Sequence, residues 1–154
     1  MAGCASPPTI EPVRTGLPYV EDGGPRQQGD LYLPPKPSGP HPVVLVVHGG
    51  GWTGRDRGDM AGISRRLAGA GFAAFNINYR LAPEHTHPAQ LEDVRAALRF
   101  LEEQAEEWSL DPTRVAAWGY SAGGHLVLLA AGLPEDGTPA LDAVVAGGAP
   151  TDLT

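Results

Sequence analysis

The amino-acid sequence reads as an α/β protein, a three-layer α/β/α sandwich around a mostly parallel sheet. Two patterns carry that expectation. Apolar, β-branched runs of strand length alternate with stretches of helical period, and glycine clusters close two of those runs. Alternation of this kind over 154 residues builds repeated β-α-β units with helices on both faces of the sheet. Ligand chemistry in such sheets gathers at the carboxyl ends of the strands, and both glycine clusters fall there.

Up to Pro42 the chain is rich in proline, glycine and polar residues, so residues 1–27 are expected to be disordered or loosely ordered. The folded domain is expected over residues 28–154. It starts with Asp30-Leu31-Tyr32-Leu33, which alternates and reads as an antiparallel edge strand stopped by Pro34-Pro35. Val43-Val44-Leu45-Val46-Val47 is unbroken and β-branched, as in a strand buried on both faces, and it runs into His48-Gly49-Gly50-Gly51. A helix is expected from about Gly58 to Ala70, ended by Gly71, and a strand from Phe72 to Asn78. The best helix runs from Pro88 to Glu107. Leu91, Val94, Leu98, Leu101, Ala105 and Trp108 recur at steps of three or four, leaving Glu92, Arg95, Arg99, Glu102, Glu103 and Glu106 for solvent. Val115-Ala116-Ala117-Trp118 is the next strand, Ser121 to Ala131 an apolar helix, and Leu141 to Ala146 a fourth strand of the parallel set.

Composition excludes several classes. Eleven Lys and Arg against 18 Asp and Glu give a net charge of −7, and Lys36 is the only lysine. A nucleic-acid binder would need clustered cations instead. One cysteine, Cys4, rules out an internal disulfide framework and a cysteine-based zinc cluster. No apolar run reaches the roughly 18 residues of a bilayer span, so the chain as given reads as soluble and cytoplasmic. Met1-Ala2-Gly3-Cys4-Ala5-Ser6-Pro7-Pro8 nevertheless resembles the end of a bacterial lipoprotein signal whose apolar segment is missing. With such a segment upstream, Cys4 would carry a lipid and anchor the protein.

The strongest chemical signal is Gly119-Tyr120-Ser121-Ala122-Gly123 between a strand and an apolar helix. A serine forced into a sharp strand-to-helix turn lifts its hydroxyl above the sheet, and small neighbours let the backbones pass closely. Ser121 is therefore the expected nucleophile. The second signal is His48-Gly49-Gly50-Gly51-Trp52. Serine attack on a carbonyl creates an oxyanion best met by backbone N–H donors, and consecutive glycines let the chain turn its amides inward. A dinucleotide-phosphate loop would need Gly-x-Gly-x-x-Gly leading directly into a helix, a spacing absent here.

With Asn78-Tyr79-Arg80-Leu81-Ala82-Pro83-Glu84-His85 between them, these motifs resemble the α/β-hydrolase superfamily, in particular hormone-sensitive-lipase-like and feruloyl-esterase-like carboxylesterases. The resemblance covers about residues 28–154 and implies a partial α/β-hydrolase domain that cleaves small-molecule carboxylic esters through an acyl-serine intermediate, with no metal or organic cofactor. It makes Ser121 the catalytic nucleophile and the N–H groups of Gly50, Gly51 and Ala122 the oxyanion hole. Tyr120 stands where the lipase-like branch often has Asp, closer to feruloyl-esterase-like, formamidase-like and prolyl-peptidase-like relatives, which leaves amide substrates open. Arg80 and Glu84 read as structural. Trp52 reads equally as a wall of the acyl pocket or as plain packing.

In this family the acid and the base follow the serine on later loops. His125 is the only histidine after Ser121 and should pack beside the elbow; Asp152 reads as a cap. The chain is thus expected to be an N-terminal portion lacking both groups, with an exposed sheet edge open to self-association. The competing expectation is a hydrolase-like module that binds a ligand without turnover.

Overall fold

The computed structural model describes residues 10–35 and 39–153. The Cys4 segment lies outside the described residues. Six strands form one sheet in the order β1-β2-β4-β3-β5-β6. β1 (Arg14–Pro18) pairs antiparallel with β2 (Gln28–Tyr32), and β2 pairs antiparallel with β4 (Ala73–Ile77). β3 (His41–Val47) lies parallel between β4 and β5 (Leu110–Tyr120), and β6 (Ala143–Gly147) runs parallel to β5 at the far side. Three helices, α1 (Ala61–Gly69), α2 (Ala89–Glu103) and α3 (Ala122–Gly132), complete the expected sandwich.

β3 is unbroken in apolar character because both of its faces are covered. Val43, Leu45 and Val47 join the core shared with Phe75, Val94, Leu98 and Leu126, whereas Val44 and Val46 join Ala74, Met60 and Ala68 on the α1 side. In α2 the periodic residues Leu91, Val94, Leu98 and Leu101 are buried as expected. Helix α2 ends at Glu103 rather than Glu107. Its last residues close as turns: Ser109 takes φ 53° and the Leu110 N–H donates to the Ala105 carbonyl, a reversal that feeds the chain into β5. Arg95 and Arg99 are not left to solvent. Arg95 donates to the Leu133 carbonyl and both pair with Glu135, tying α2 to the end of α3.

Two expectations about the N-terminal part are corrected. The domain boundary at residue 28 falls too late, since β1 precedes it and the Tyr19 hydroxyl reaches across the sheet to the Asn78 carbonyl at 2.7 Å. For the same reason β2 is not an edge strand. Val13 N–H bonds to the Leu31 carbonyl and Gly16 N–H to the Asp30 carboxylate, so β1 holds the edge.

The connections create the crevice. β3 leads through α1 to β4 on one side of it, and β4 leads through α2 back across to β5 on the other. Right-handed crossovers in opposite directions put α1 on one face and α2 and α3 on the other. The loops leaving the carboxyl ends of neighbouring β3 and β5 therefore diverge, which opens a gap between them.

Candidate functional site

Ser121 alone makes the bend between β5 and α3, at φ 50° and ψ −119°. That conformation is strained for a residue with a side chain and persists only where its surroundings impose it. They do so here by backbone contact. A Cβ on Gly119 would strike the Gly123 carbonyl, and one on Gly123 would strike the carbonyls of Val47 and His48. The Ser121 N–H donates to the Gly147 carbonyl at 2.7 Å, and the Ser121 carbonyl accepts from the His125 N–H at 3.0 Å. Strand, bend and helix are thus locked to both neighbouring strands.

The triglycine segment lies against this bend. A Cβ on Gly49 would sit 2.9 Å from the Tyr120 carbonyl oxygen and 3.2 Å from the Ser121 Cβ. Gly50 adopts φ 118°, a value side chains rarely tolerate, and its carbonyl closes a turn by accepting from the N–H groups of Thr53 and Gly54. Among the described residues nothing accepts a hydrogen bond from the N–H of Gly50, Gly51 or Ala122. For Ala122 that is the ordinary condition of a helix first turn, which carries partial positive charge. Ser121, Tyr120 and Gly49 to Gly51 share a cavity of about 500 Å³ with Met60, Ile63 and Trp118, and the Arg55–Asp59 ion pair stands at its rim.

The exit of β4 braces the loop. Asn76 Nδ2 donates to the Arg57 carbonyl at 2.7 Å, Asn78 Oδ1 accepts from the Arg57 N–H at 2.8 Å, and the Trp52 carbonyl accepts from the Ala82 N–H at 2.9 Å. Tyr79 lies under His48 with its hydroxyl on the loop carbonyls. Arg80 is structural, as expected: its N–H and guanidinium converge on the buried Asp93 carboxylate, which also accepts from Gln27. Glu84 is exposed. The sequence reading gave no role to Asn76, Asn78 or Tyr79. The available signal was two asparagines interrupting an otherwise apolar buried strand, since buried polar groups are there to be bonded.

No histidine side chain is hydrogen-bonded to the Ser121 hydroxyl among the described residues. His48 is fully buried, and desolvation lowers its pKa. His125 packs beside the elbow, its ring edge-on to Trp52 at 5.3 Å; burial first and the charge of His87 second lower its pKa. Trp52 and His125 wall a smaller, apolar cavity of about 260 Å³ with Ala82, His87, Gln90 and Leu126. Asp152 is exposed. Among the described residues no three His, Cys, Asp or Glu side chains are grouped to hold a metal ion.

A family model described as BD-FAE matches residues 29–153, which span the elbow, the triglycine loop and five of the six strands. The chain belongs to the BD-FAE family of α/β-hydrolases. Carboxylesterase NlhH of Mycobacterium tuberculosis is 42% identical to this BD-FAE chain over 108 residues, covering 69% of the chain and 34% of NlhH. Among solved structures, a truncated carbohydrate esterase from gut microbiota superposes with a TM-score of 0.85 at 28% identity, covering 94% of this chain and 59% of that one. A bacterial heroin esterase superposes with a TM-score of 0.66 at 36% identity over 73% of this chain and 37% of that one. The chain spans about a third or less of the length of the curated relatives it matches. No helix among the described residues is long and apolar enough to cross a membrane.

Proposed function

We propose that this chain carries the nucleophile and oxyanion-binding part of a serine esterase, and that the acid and the base come from residues outside these 154. Ser121 Oγ attacks the ester carbonyl, the carbonyl oxygen takes up negative charge, and the N–H groups of Gly50, Gly51 and Ala122 receive it. Collapse of the tetrahedral intermediate breaks the bond to the alkoxide, which leaves as the alcohol once protonated; water then releases the acid from the acyl-serine. The observation that supports this reading is the strained Ser121 bend sharing one cavity with three glycines whose loop presents unpaired amides. Amide donors fixed before the reaction stabilise the developing charge without reorganising. Homology to carboxylesterases favours esters over amides as substrates.

Without a base the hydroxyl is a poor nucleophile, yet an oxyanion hole and binding alone sustain roughly 10³–10⁴-fold acceleration over water in triad-deleted serine enzymes. The test is prolonged exposure to 4-nitrophenyl acetate followed by peptide mass spectrometry. Slow acetylation confined to Ser121 is the expected result. Acetylation elsewhere and none at Ser121 would sink the nucleophile assignment. Fast turnover abolished by Ser121→Ala would instead show that the proton-transfer groups lie within this chain.

The same reading extends to association. The outer edge of β6 has no neighbour among the described strands, Val145 is 52% exposed, and residues 143–151 carry no charge to deter a second copy from pairing there.

A further inference from the structure

A trans peptide unit carries its carbonyl and its N–H on opposite sides, so whatever holds the Gly49 carbonyl also aims the Gly50 N–H. Between two glycines such a unit has little intrinsic preference for either orientation. Turned the other way, it would remove a donor from the site and set a carbonyl oxygen against the developing negative charge. Something outside the loop has to choose.

Two side chains are placed to do so. The Gly49 carbonyl accepts a bond from His48 Nδ1 at 2.6 Å and lies 3.5 Å from the Tyr79 hydroxyl, which donates to the His48 carbonyl at 3.1 Å. The two rings stack with centroids 4.3 Å apart and planes 13° from parallel, and both are fully buried. A carbonyl oxygen can only accept, so Nδ1 carries the proton, and His48 Nε2 is left buried without a partner. Burial lowers the His48 pKa and raises that of the Tyr79 phenol, which keeps the imidazole neutral and the hydroxyl protonated. Strand register explains the meeting: Val47 pairs with Ile77, so the residues just beyond the carboxyl ends of β3 and β4 come side by side.

We propose that His48 and Tyr79 together are positioning residues for the oxyanion loop: the His48 Nδ1–H holds the Gly49 carbonyl, the Tyr79 hydroxyl holds the His48 carbonyl while its ring supports the stacked imidazole, and the pair so leaves the Gly50 N–H facing Ser121. This rests on the assignment of the Gly50 N–H to the oxyanion hole, and the experiment separates the two. Tyr79→Phe keeps the stacked ring and removes only the hydroxyl. In the isotope-labelled chain, the Gly49 and Gly50 amide signals should move and the exchange rate of the Gly50 amide should change. The residual kcat for 4-nitrophenyl acetate should fall roughly tenfold with KM nearly unchanged, a fraction of the 10²–10³ that loss of a whole oxyanion donor costs. Unmoved amide signals would overturn the positioning role. Moved signals with unchanged kcat would uphold it and overturn the oxyanion assignment of Gly50. If Tyr79→Phe does not fold, the ring nitrogens of His48 in the unsubstituted chain still decide. A proton on Nδ1 supports the proposal, and one on Nε2 refutes it.

Discussion

Replacing Asp93 with alanine tests whether the motif segment after β4 is held by one buried carboxylate. Asp93 is 1% exposed and accepts three hydrogen bonds at 2.9 Å or shorter, from the Arg80 N–H, the Arg80 Nε and the Gln27 amide, while Arg80 Nη2 stands 2.9 Å away as its ion-pair partner. Asp93→Ala leaves those donors facing a void. Removing one partner of a buried pair costs about 3–5 kcal/mol. The Arg80 side chain is a quarter exposed and can turn to water or to Glu92, so the lower end, about 3 kcal/mol, applies. For a chain of this size that is roughly a 10 °C fall in melting temperature. Circular dichroism melts and urea titration read both quantities. Arg80→Ala should cost a similar amount, and the double variant much less than the sum, because the two changes remove the same bonds. A loss below about 1 kcal/mol for Asp93→Ala, with additive behaviour in the double variant, would show that Arg80 and Asp93 do not anchor the segment; that value is typical of an exposed pair.

Gly123→Ala should destabilise by about 3 kcal/mol, the upper range for overpacking, because its Cβ meets two backbone carbonyls that cannot rotate away; an unchanged melting temperature would contradict the close approach of α3 to β3. Ser121→Gly should raise stability by about 1 kcal/mol, since relief of a strained φ, about 1–3 kcal/mol, exceeds the entropy glycine loses, about 0.5–1 kcal/mol, and a lower urea midpoint would argue against strain at the bend. His48 is neutral when folded and its pKa lies below 6.5, so the unfolded chain binds the extra proton in acid. Its contribution is therefore full above pH 6.5 and declines as the pH falls toward the folded pKa, and the urea midpoint should fall less steeply with acid in His48→Gln. Sedimentation velocity should detect association that grows with concentration and is suppressed by Val145→Lys, which places a charge on the open β6 edge; identical behaviour of the two chains would exclude pairing there.

The parts of the fold legible in the sequence are those whose burial imposes a pattern. β3 and β4 read as apolar runs because both faces are covered, and α2 reads from its period because one stripe meets the sheet. β1 did not read at all. Arg14-Thr15-Gly16-Leu17-Pro18 has no alternation, and what makes it a strand is its backbone pairing with β2, with a bulge between Arg14 and Leu17. The site divides in the same way. Gly119, Gly123 and Gly50 were legible because each sits where a side chain would collide or strain, a requirement written directly as glycine. Tyr79 and Asn78 were not, because their bonds run to residues 31 and 21 positions away in sequence, and only the strand order β4-β3-β5 brings those loops within reach.

That order also explains why so much of the site is backbone. The elbow follows β5, the triglycine loop follows β3, and the segment that braces the loop follows β4, so three adjacent parallel strands supply all three from their carboxyl ends. Their relative positions are fixed by ladder hydrogen bonds and by glycine contacts too close for a Cβ, both of which exist once these strands pair. None of that geometry depends on a histidine or a carboxylate reaching the serine. The position of Ser121 beside the triglycine loop is therefore a consequence of how these strands pack.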